Sequence, residues 1–376
     1  MAGLAAPSRL PFVRPCLESN PQLIETLEQA LDSGRVTNFG RLATCFEREL
    51  ATYLGVEETL ALSSGSMALL IGLRALERSP GRVVLPSFTY LSTLSAVVNA
   101  GFTPLFCDIE PDTWTLCPEH LAALLAKDPD IRAVIAVNAY GVSPKLSQIA
   151  ALAKAHGAAL VYDNAHGFGS EVGGCRLSPL PDLTLFSLHA TKVLPAIEGG
   201  LLVAREPHRL ALARRLANHG FAADPLDSIA GYNAKLSELH AAVGLNTLAS
   251  FPDALARRRV YGERLRAAIA KEDPARFGLQ EFPAGLLPNH QNLPVLCRFA
   301  DAAGIDAAIA DFARLGIEAR RYFHPPLHLL RRFAATQQLP VTEAVAGSLV
   351  CLPLYSRMNE AELARIEQAI ARVGRE

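Results

Sequence analysis

The sequence predicts an α/β fold: a mostly parallel, mixed sheet with helices on both faces, followed by a smaller C-terminal α+β domain. Two observations carry that expectation. Between residues 59 and 163, short apolar runs alternate with amphipathic stretches of helical length, and such alternation favours right-handed crossovers between parallel strands. After residue 170 the alternation lapses, and beyond "SFPDA" single strands and helices follow one another without it. The boundary is placed at 248/249, giving a large domain over 1–248 and a small one over 249–376.

In chain order, "TLALSS" (59–64) is a strand entering the helix of "SMALLIGLRALERS", "RVVLPS" (82–87) enters "YLSTLSAVVNAG", and "TPLFCD" (103–108) enters "CPEHLAALLAK". "RAVIAVNAY" (132–140) enters "KLSQIAALAKAHG", and "AALVYD" (158–163) follows. Continuous apolar runs of this kind are strands covered on two faces. "LTLFSLHATK" and "GGLLVA" read as two more strands joined by a loop. Residues 237–271 read as helical, with a kink or boundary at "SFPDA". "QNLPVLCRF", a helix over "DAAIADFARLG", the Pro-rich "RRYFHPPLH" and a last helix over "NEAELARIEQAIARVG" complete the small domain.

The chain has 376 residues with 36 Lys+Arg against 37 Asp+Glu. A net charge of −1 and the lack of any long basic run exclude a nucleic-acid or membrane-surface patch. Arg257, Arg258 and Arg259 read as a solvated helix face. The seven cysteines are scattered and form no C-x-x-C pair, which excludes a disulfide framework and a Cys-rich zinc site. The Pro-broken N-terminus and the absence of an eighteen-residue apolar window point to a cytoplasmic protein.

Strand carboxyl ends are where ligands of such sheets bind. At the first, Gly65 and Ser66 open a helix whose free N–H groups suit an anion, although Ser66 also reads as a plain N-cap. At another, Asp163 ends a buried-type strand and needs either a cationic partner or a turn to cap. Gly167, Gly169 and Gly173 imitate a dinucleotide fingerprint, but the spacing is one residue too long and no helix can follow. Lys192, 29 residues after Asp163, follows an apolar strand among Leu, Ala, Val and Pro, where desolvation favours a neutral, nucleophilic amine. Ser187, His189, Thr191 and Glu198-Gly199-Gly200 accompany it. An anion seat, an aromatic loop in "PSFTY", a buried carboxylate and such a lysine are the parts that pyridoxal phosphate (PLP) requires. A metal site of Asp163, His166 and His189 is the rival reading, and it leaves Lys192 and the Ser66 helix start without a role.

With these segments, the chain resembles the DegT/DnrJ/StrS family of sugar aminotransferases, from "RVTNFGRLATCFERELATYLG" through "DNAHGFGS", "FSLHATKVLPAIEGG" and "GYNAKLSELHAAVGL" to "RRYFHPPLH" and "LPLYSRMNEAEL". The resemblance implies the PLP-transferase fold type I. It implies Lys192 as the Schiff-base lysine and proton carrier, Asp163 as partner of the pyridine nitrogen, and His166 beside the phenolic oxygen. Gly65, Ser66 and Ser187 resemble the phosphate seat, and Tyr90, with Phe88 as second choice, the stacking aromatic. Asn233, with Lys235 as fallback, resembles a residue that reaches the phosphate of a neighbouring subunit, implying a homodimer with shared active sites. Tyr322, His324 and His328 are candidates for the sugar, and Pro325 and Pro326 exclude a helical metal pair of the two histidines. The implied reaction moves an amino group from glutamate to a nucleotide-diphosphate keto sugar. The "HATK…EGG" form resembles members acting on carbon 4 of 4-keto-6-deoxy sugars; carbon 3 and a sugar dehydratase are the alternatives.

Overall fold

Alternation within single strands decides which core each residue joins. The computed structural model describes residues 9–299, 304–333 and 337–374. Its seven-stranded sheet contains β1 (Leu60–Leu62), β2 (Arg82–Pro86), β3 (Thr103–Cys107), β4 (Ile131–Val137), β5 (Ala159–Asp163), β7 (Leu183–Ser187) and β8 (Gly200–Ala204), in the order β1-β8-β7-β5-β4-β2-β3. The pairs from β3 to β7 are parallel, and β8 runs antiparallel to both of its neighbours. In β2, β4 and β5, Val83, Leu85, Ile135, Val137 and Val161 face one apolar cluster with α3 (Gly65–Ala75), α4 (Leu91–Asn99) and α7 (Pro207–Ala217). Their sequence neighbours Val84, Val134, Ala136, Leu160 and Tyr162 face another, with α5 (Pro118–Lys127) and α6 (Leu146–His156). A third cluster covers the outer end of the sheet, where Phe186, Leu201 and Val203 meet α2 (Arg41–Leu54) and α8 (Glu238–Ala249). The parallel, doubly covered sheet read from the sequence is the sheet observed.

The predicted break at "SFPDA" is the joint between α8 and α9 (Phe251–Ala270), with Pro252 in the first turn. Beyond it, β9 (Phe277–Leu279), β11 (Leu293–Cys297) and β12 (Leu349–Leu352) form a three-stranded antiparallel sheet. This packs on α9, α10 (Ile305–Arg314) and α12 (Glu360–Arg372). α1 (Pro21–Asp32), α11 (Pro340–Ser348) and a ribbon of β6 (Glu171–Val172) with β10 (Leu286–Leu287) complete the α-helices and strands described. Leu10 buries in the small core and bridges Ile317, so the N-terminal strand of chain crosses to the C-terminal unit. The N-terminal reading above includes residues 1–8, which lie outside the described residues. Among the described residues no helix is long and apolar enough to cross a membrane.

The Arg257–Arg259 run is not the solvated face that its sequence suggests. Arg258 is 5% exposed and donates to the carbonyls of His290, Gln291 and Leu354 at 2.6–2.8 Å. Arg259 donates to the Gly169 and Pro288 carbonyls, and Arg257, still exposed, to Ser356. Irregular chain entering and leaving the small sheet leaves carbonyls without ladder partners, and a guanidinium fork supplies several donors at once. Arg258→Met should therefore lower unfolding free energy by about 3 kcal/mol, whereas Arg257→Met should change it by less than about 1 kcal/mol. Thermal and urea unfolding of both variants beside the parent protein measure the difference.

Candidate active site

Strand direction brings the chemistry to one edge. β1, β2, β4, β5 and β7 point the same way, so Ser64, Thr89, Asn138, Asp163 and Ser187 emerge together around a cavity of about 420 Å³. The antiparallel β8 contributes Gly200, which pairs with Leu62 on one side and Ser187 on the other. A Cβ at Gly200 would lie 2.2 Å from the Ser64 carbonyl oxygen, and one at Gly65 would lie 3.0 Å from the Ser187 Cβ. These two glycines let the start of α3 settle directly on the sheet edge. The N-cap is Ser64, not Ser66; its side chain accepts the Met67 N–H at 3.2 Å. Gly65 and Ser66 are then the first helical residues, whose N–H groups have no intrahelical acceptor, and both line the cavity.

At the cavity floor Asp163 is 5% exposed, and burial pushes its pKa up. Donation from the Thr93 hydroxyl to Oδ2 at 3.0 Å, donation from the Ala165 N–H to Oδ1 at 3.2 Å and the charge of Lys192 all oppose that rise. Lys192 responds in the opposite sense. Burial lowers its pKa to about 8, and the Asp163 carboxylate limits the fall. His166 is stacked near Tyr140 and Phe323, with ring centroids 6.0 Å apart in each case. Its Nδ1 accepts the Tyr140 N–H at 3.2 Å, which leaves the ring proton on Nε2. Burial, then Lys192, holds the imidazole neutral well below its ordinary pKa.

Tyr90 stands at the mouth, 64% exposed, with Tyr322 and Arg320 on the same cavity. Phe88, the second choice for stacking, is instead in the core, edge-on to Tyr140 and Phe323. His189 and Glu198 form a rim pair at 3.4 Å, and the Thr191 N–H fixes His189 Nδ1 as an acceptor. Of the three residues expected to face a sugar, only Tyr322 lines the cavity. His324 points to solvent beside Arg321. His328 is 1% exposed, with Nδ1 at 2.7 Å from the Ser87 hydroxyl and Nε2 at 3.2 Å from Glu343, so both ring nitrogens are spent on the fold. Asn233 is exposed, and neither it nor Lys235 lines this chain's cavity. No group of three metal-ligating side chains occurs among the described residues, and His189 turns to Glu198 rather than to His166. Thr89, Thr93 and Arg320 escaped the sequence reading. The i, i+4 spacing of the two threonines at a helix start was the available signal.

A half-buried lysine and a buried aspartate beside a helix start opened by Gly65, at the carboxyl edge of this sheet, are the arrangement of a PLP-dependent aminotransferase. The chain belongs to the DegT/DnrJ/EryC1/StrS aminotransferase family, whose model matches residues 18–371. It is 29% identical over 379 residues to GDP-perosamine synthase of Caulobacter vibrioides, covering 97% of this chain and 98% of that protein. It is 30% identical over 341 residues to the UDP-N-acetyl-3-dehydro-alpha-D-glucosamine 3-aminotransferase of Acidithiobacillus ferrooxidans, with 89% of each covered. The crystal structure of DesI with its TDP-sugar product superposes with a TM-score of 0.90 at 32% identity, over 99% of this chain and 94% of that one.

The sign of the Lys192–Asp163 coupling is directly measurable. In cofactor-free protein, modification of Lys192 by a small amine reagent, followed by peptide mass spectrometry, should rise with pH through a midpoint near 8. Asp163→Asn removes the charge that raises this pKa, so its midpoint should lie lower. An upward move contradicts the coupling.

Proposed function

We propose that this chain binds PLP and transfers the amino group of L-glutamate to carbon 4 of a dTDP-linked, or similarly nucleotide-linked, 4-keto-6-deoxyhexose. The observation that carries the reading is Lys192, an amine with its pKa held near 8, in one cavity with the buried Asp163 carboxylate and the α3 N-terminus. The residues present fit the cofactor. Gly65 and Ser66 offer free amides to a phosphate, with the Ser187 hydroxyl beside them, and the missing side chains of Gly65 and Gly200 keep that seat open. Asp163 suits a protonated ring nitrogen, Nε2–H of His166 suits a phenolic oxygen, and Tyr90 supplies an aromatic face. When bound, PLP supplies an electron sink for the carbon that loses its proton.

Lys192 then does the proton work. With its pKa near the working pH, the neutral amine takes a proton from the donor's α-carbon and gives it up again within the same half-reaction, and in the opposite half-reaction it delivers a proton to the sugar carbon that receives nitrogen. Asp163 stays ionised because Thr93 and Ala165 donate to it, and it holds a proton on its partner nitrogen by charge. His166, neutral and fixed in one tautomer, donates without adding charge to the floor. Tyr322 and Arg320 stand where the sugar and the donor carboxylate would enter; Arg320 is oriented by Glu318 through two bonds of 2.5–2.8 Å. Overall, glutamate's C–N bond becomes a keto group and the sugar's keto group becomes C–N, with nitrogen passing from one to the other.

Carbon 4 rests on the "HATK…EGG" form; the named relative that aminates carbon 3 keeps carbon 3 as the second reading. The loop before Asn233 exposes Phe221 and Leu226, the latter by 93%, which fits a homodimer in which Asn233 serves the neighbour's site.

Protein supplied with PLP should absorb near the visible edge. Lys192→Ala should abolish the borohydride-reducible band and lower turnover by about three orders of magnitude; a colourless parent protein contradicts the assignment. A panel of nucleotide-linked 3-keto and 4-keto sugars with glutamate, read by NMR, should show amination at carbon 4, and amination at carbon 3 alone overturns that choice. Co-expressed Lys192→Ala and Asn233→Ala chains should regain activity that neither has alone, because one mixed dimer holds one complete site. No regain places Asn233 outside the neighbour's site.

A further inference from the structure

The support of Asp163 has a direction. Thr93 and Thr89 are 0% and 3% exposed, and their hydroxyl oxygens lie 3.0 Å apart. A hydroxyl carries one hydrogen, and an ionised carboxylate only accepts. The Thr93 hydrogen goes to Asp163 Oδ2 at 3.0 Å, so the Thr89 hydroxyl donates to Thr93 and the order Thr89→Thr93→Asp163 is fixed. Hydroxyl side chains within a helix commonly bond back to the carbonyl four residues earlier, as Ser95 does to Leu91 in the same helix. Thr93 turns away from that partner toward the carboxylate. Thr89 lines the cavity, whereas Thr93 sits behind it.

We propose that Thr93, its hydroxyl oriented by Thr89, is a positioning residue for amino transfer that keeps the Asp163 carboxylate ionised and fixed at the cavity floor. The inference deepens the cofactor reading above and rests on it for its catalytic meaning. The carboxylate is buried away from water, so each donor it keeps favours the charged form over the neutral one. Loss of the Thr93 donor raises the Asp163 pKa, the direction in which burial already pushes it. If Asp163 takes a proton, the order of the relay can reverse, and the Thr89 hydrogen then turns toward the cavity.

The test uses the full chain, freed of cofactor and carrying 13C-labelled aspartate, with the Asp163 carboxyl resonance assigned by its loss in Asp163→Asn. In Thr93→Val, which keeps the shape and removes the donor, the carboxyl titration midpoint should rise by about one pH unit. Thr93→Ser should return it to the parent value, and Thr89→Val should raise it by less than Thr93→Val. An unchanged midpoint in Thr93→Val, or a rise that Thr93→Ser does not reverse, overturns the proposal. If circular dichroism shows that Thr93→Val does not fold, Thr89→Val decides the matter, and an unchanged midpoint there overturns it. After addition of PLP, the visible band of Thr93→Val should titrate differently from that of the parent protein. A parent protein with no band refutes the cofactor reading alone, since the carboxyl titration judges the relay without cofactor.

Discussion

A buried carboxylate and a half-buried amine share one cavity, and much of this molecule is arranged so that both survive there. Burial shifts Asp163 toward its protonated form and Lys192 toward its neutral one, and each is restrained by the other's charge. Two charges in such a place persist only with good geometry and further hydrogen bonds. The sheet supplies both. β5 ends at Asp163 between β4 and β7, so the strands fix its backbone while Thr93, from the helix behind, fixes its side chain. The remaining freedom belongs to Lys192, which follows β7 in a loop rather than in a strand. The fixed member suits a constant charge and the looser one suits a moving proton.

The same edge reconciles near-zero net charge with the anionic ligand proposed above. An anion seat at the start of α3 needs backbone amides, a helix dipole and a hydroxyl, none of which contributes to a count of Lys and Arg. What it needs instead is space, and that comes from Gly200 and Gly65, which bring the helix start against β7 and β8. The antiparallel strand β8 matters for this reason. Its register places Gly200 between Leu62 and Ser187, and a slip that brought Leu201 there instead would put a side chain in that space.

Much of the fold was legible because its signals are local. The runs at 82–87, 132–140 and 158–163 are apolar on both alternating positions, and that pattern means a covered parallel strand. Lys192, Asp163 and the Gly65 helix start were legible because each sits at, or within a few residues beyond, the carboxyl end of an apolar strand. Arg258 and His328 were not, for a common reason. Both carry polar groups that look functional or solvated in sequence, and both are consumed by backbone or core partners that are distant along the chain. No local pattern announces that an arginine will find three orphan carbonyls. Thr93 failed differently. It reads as an unremarkable helix residue until the carboxylate it serves, 70 positions away, is folded beside it.

Under the proposed function, the chemistry of the floor does not itself distinguish carbon 3 from carbon 4, because PLP would act on whichever carbonyl is brought to it. Selection must therefore come from walls that hold the sugar in one rotation about its ring. In this chain the candidates for those walls are Tyr90, the His189–Glu198 pair and the Arg320–Tyr322 segment, all of which line the cavity. His189 is the most constrained of them. With Nδ1 occupied by Thr191, it presents only Nε2–H, and Glu198 across from it presents only acceptors. Under the function proposed above, a fixed donor beside a fixed acceptor would pair with neighbouring sugar hydroxyls in one arrangement and not in the other. The "HATK…EGG" pattern thus has a physical meaning beyond resemblance: its histidine and glutamate are the two ends of that rim pair, and its lysine and glycines build the floor beneath.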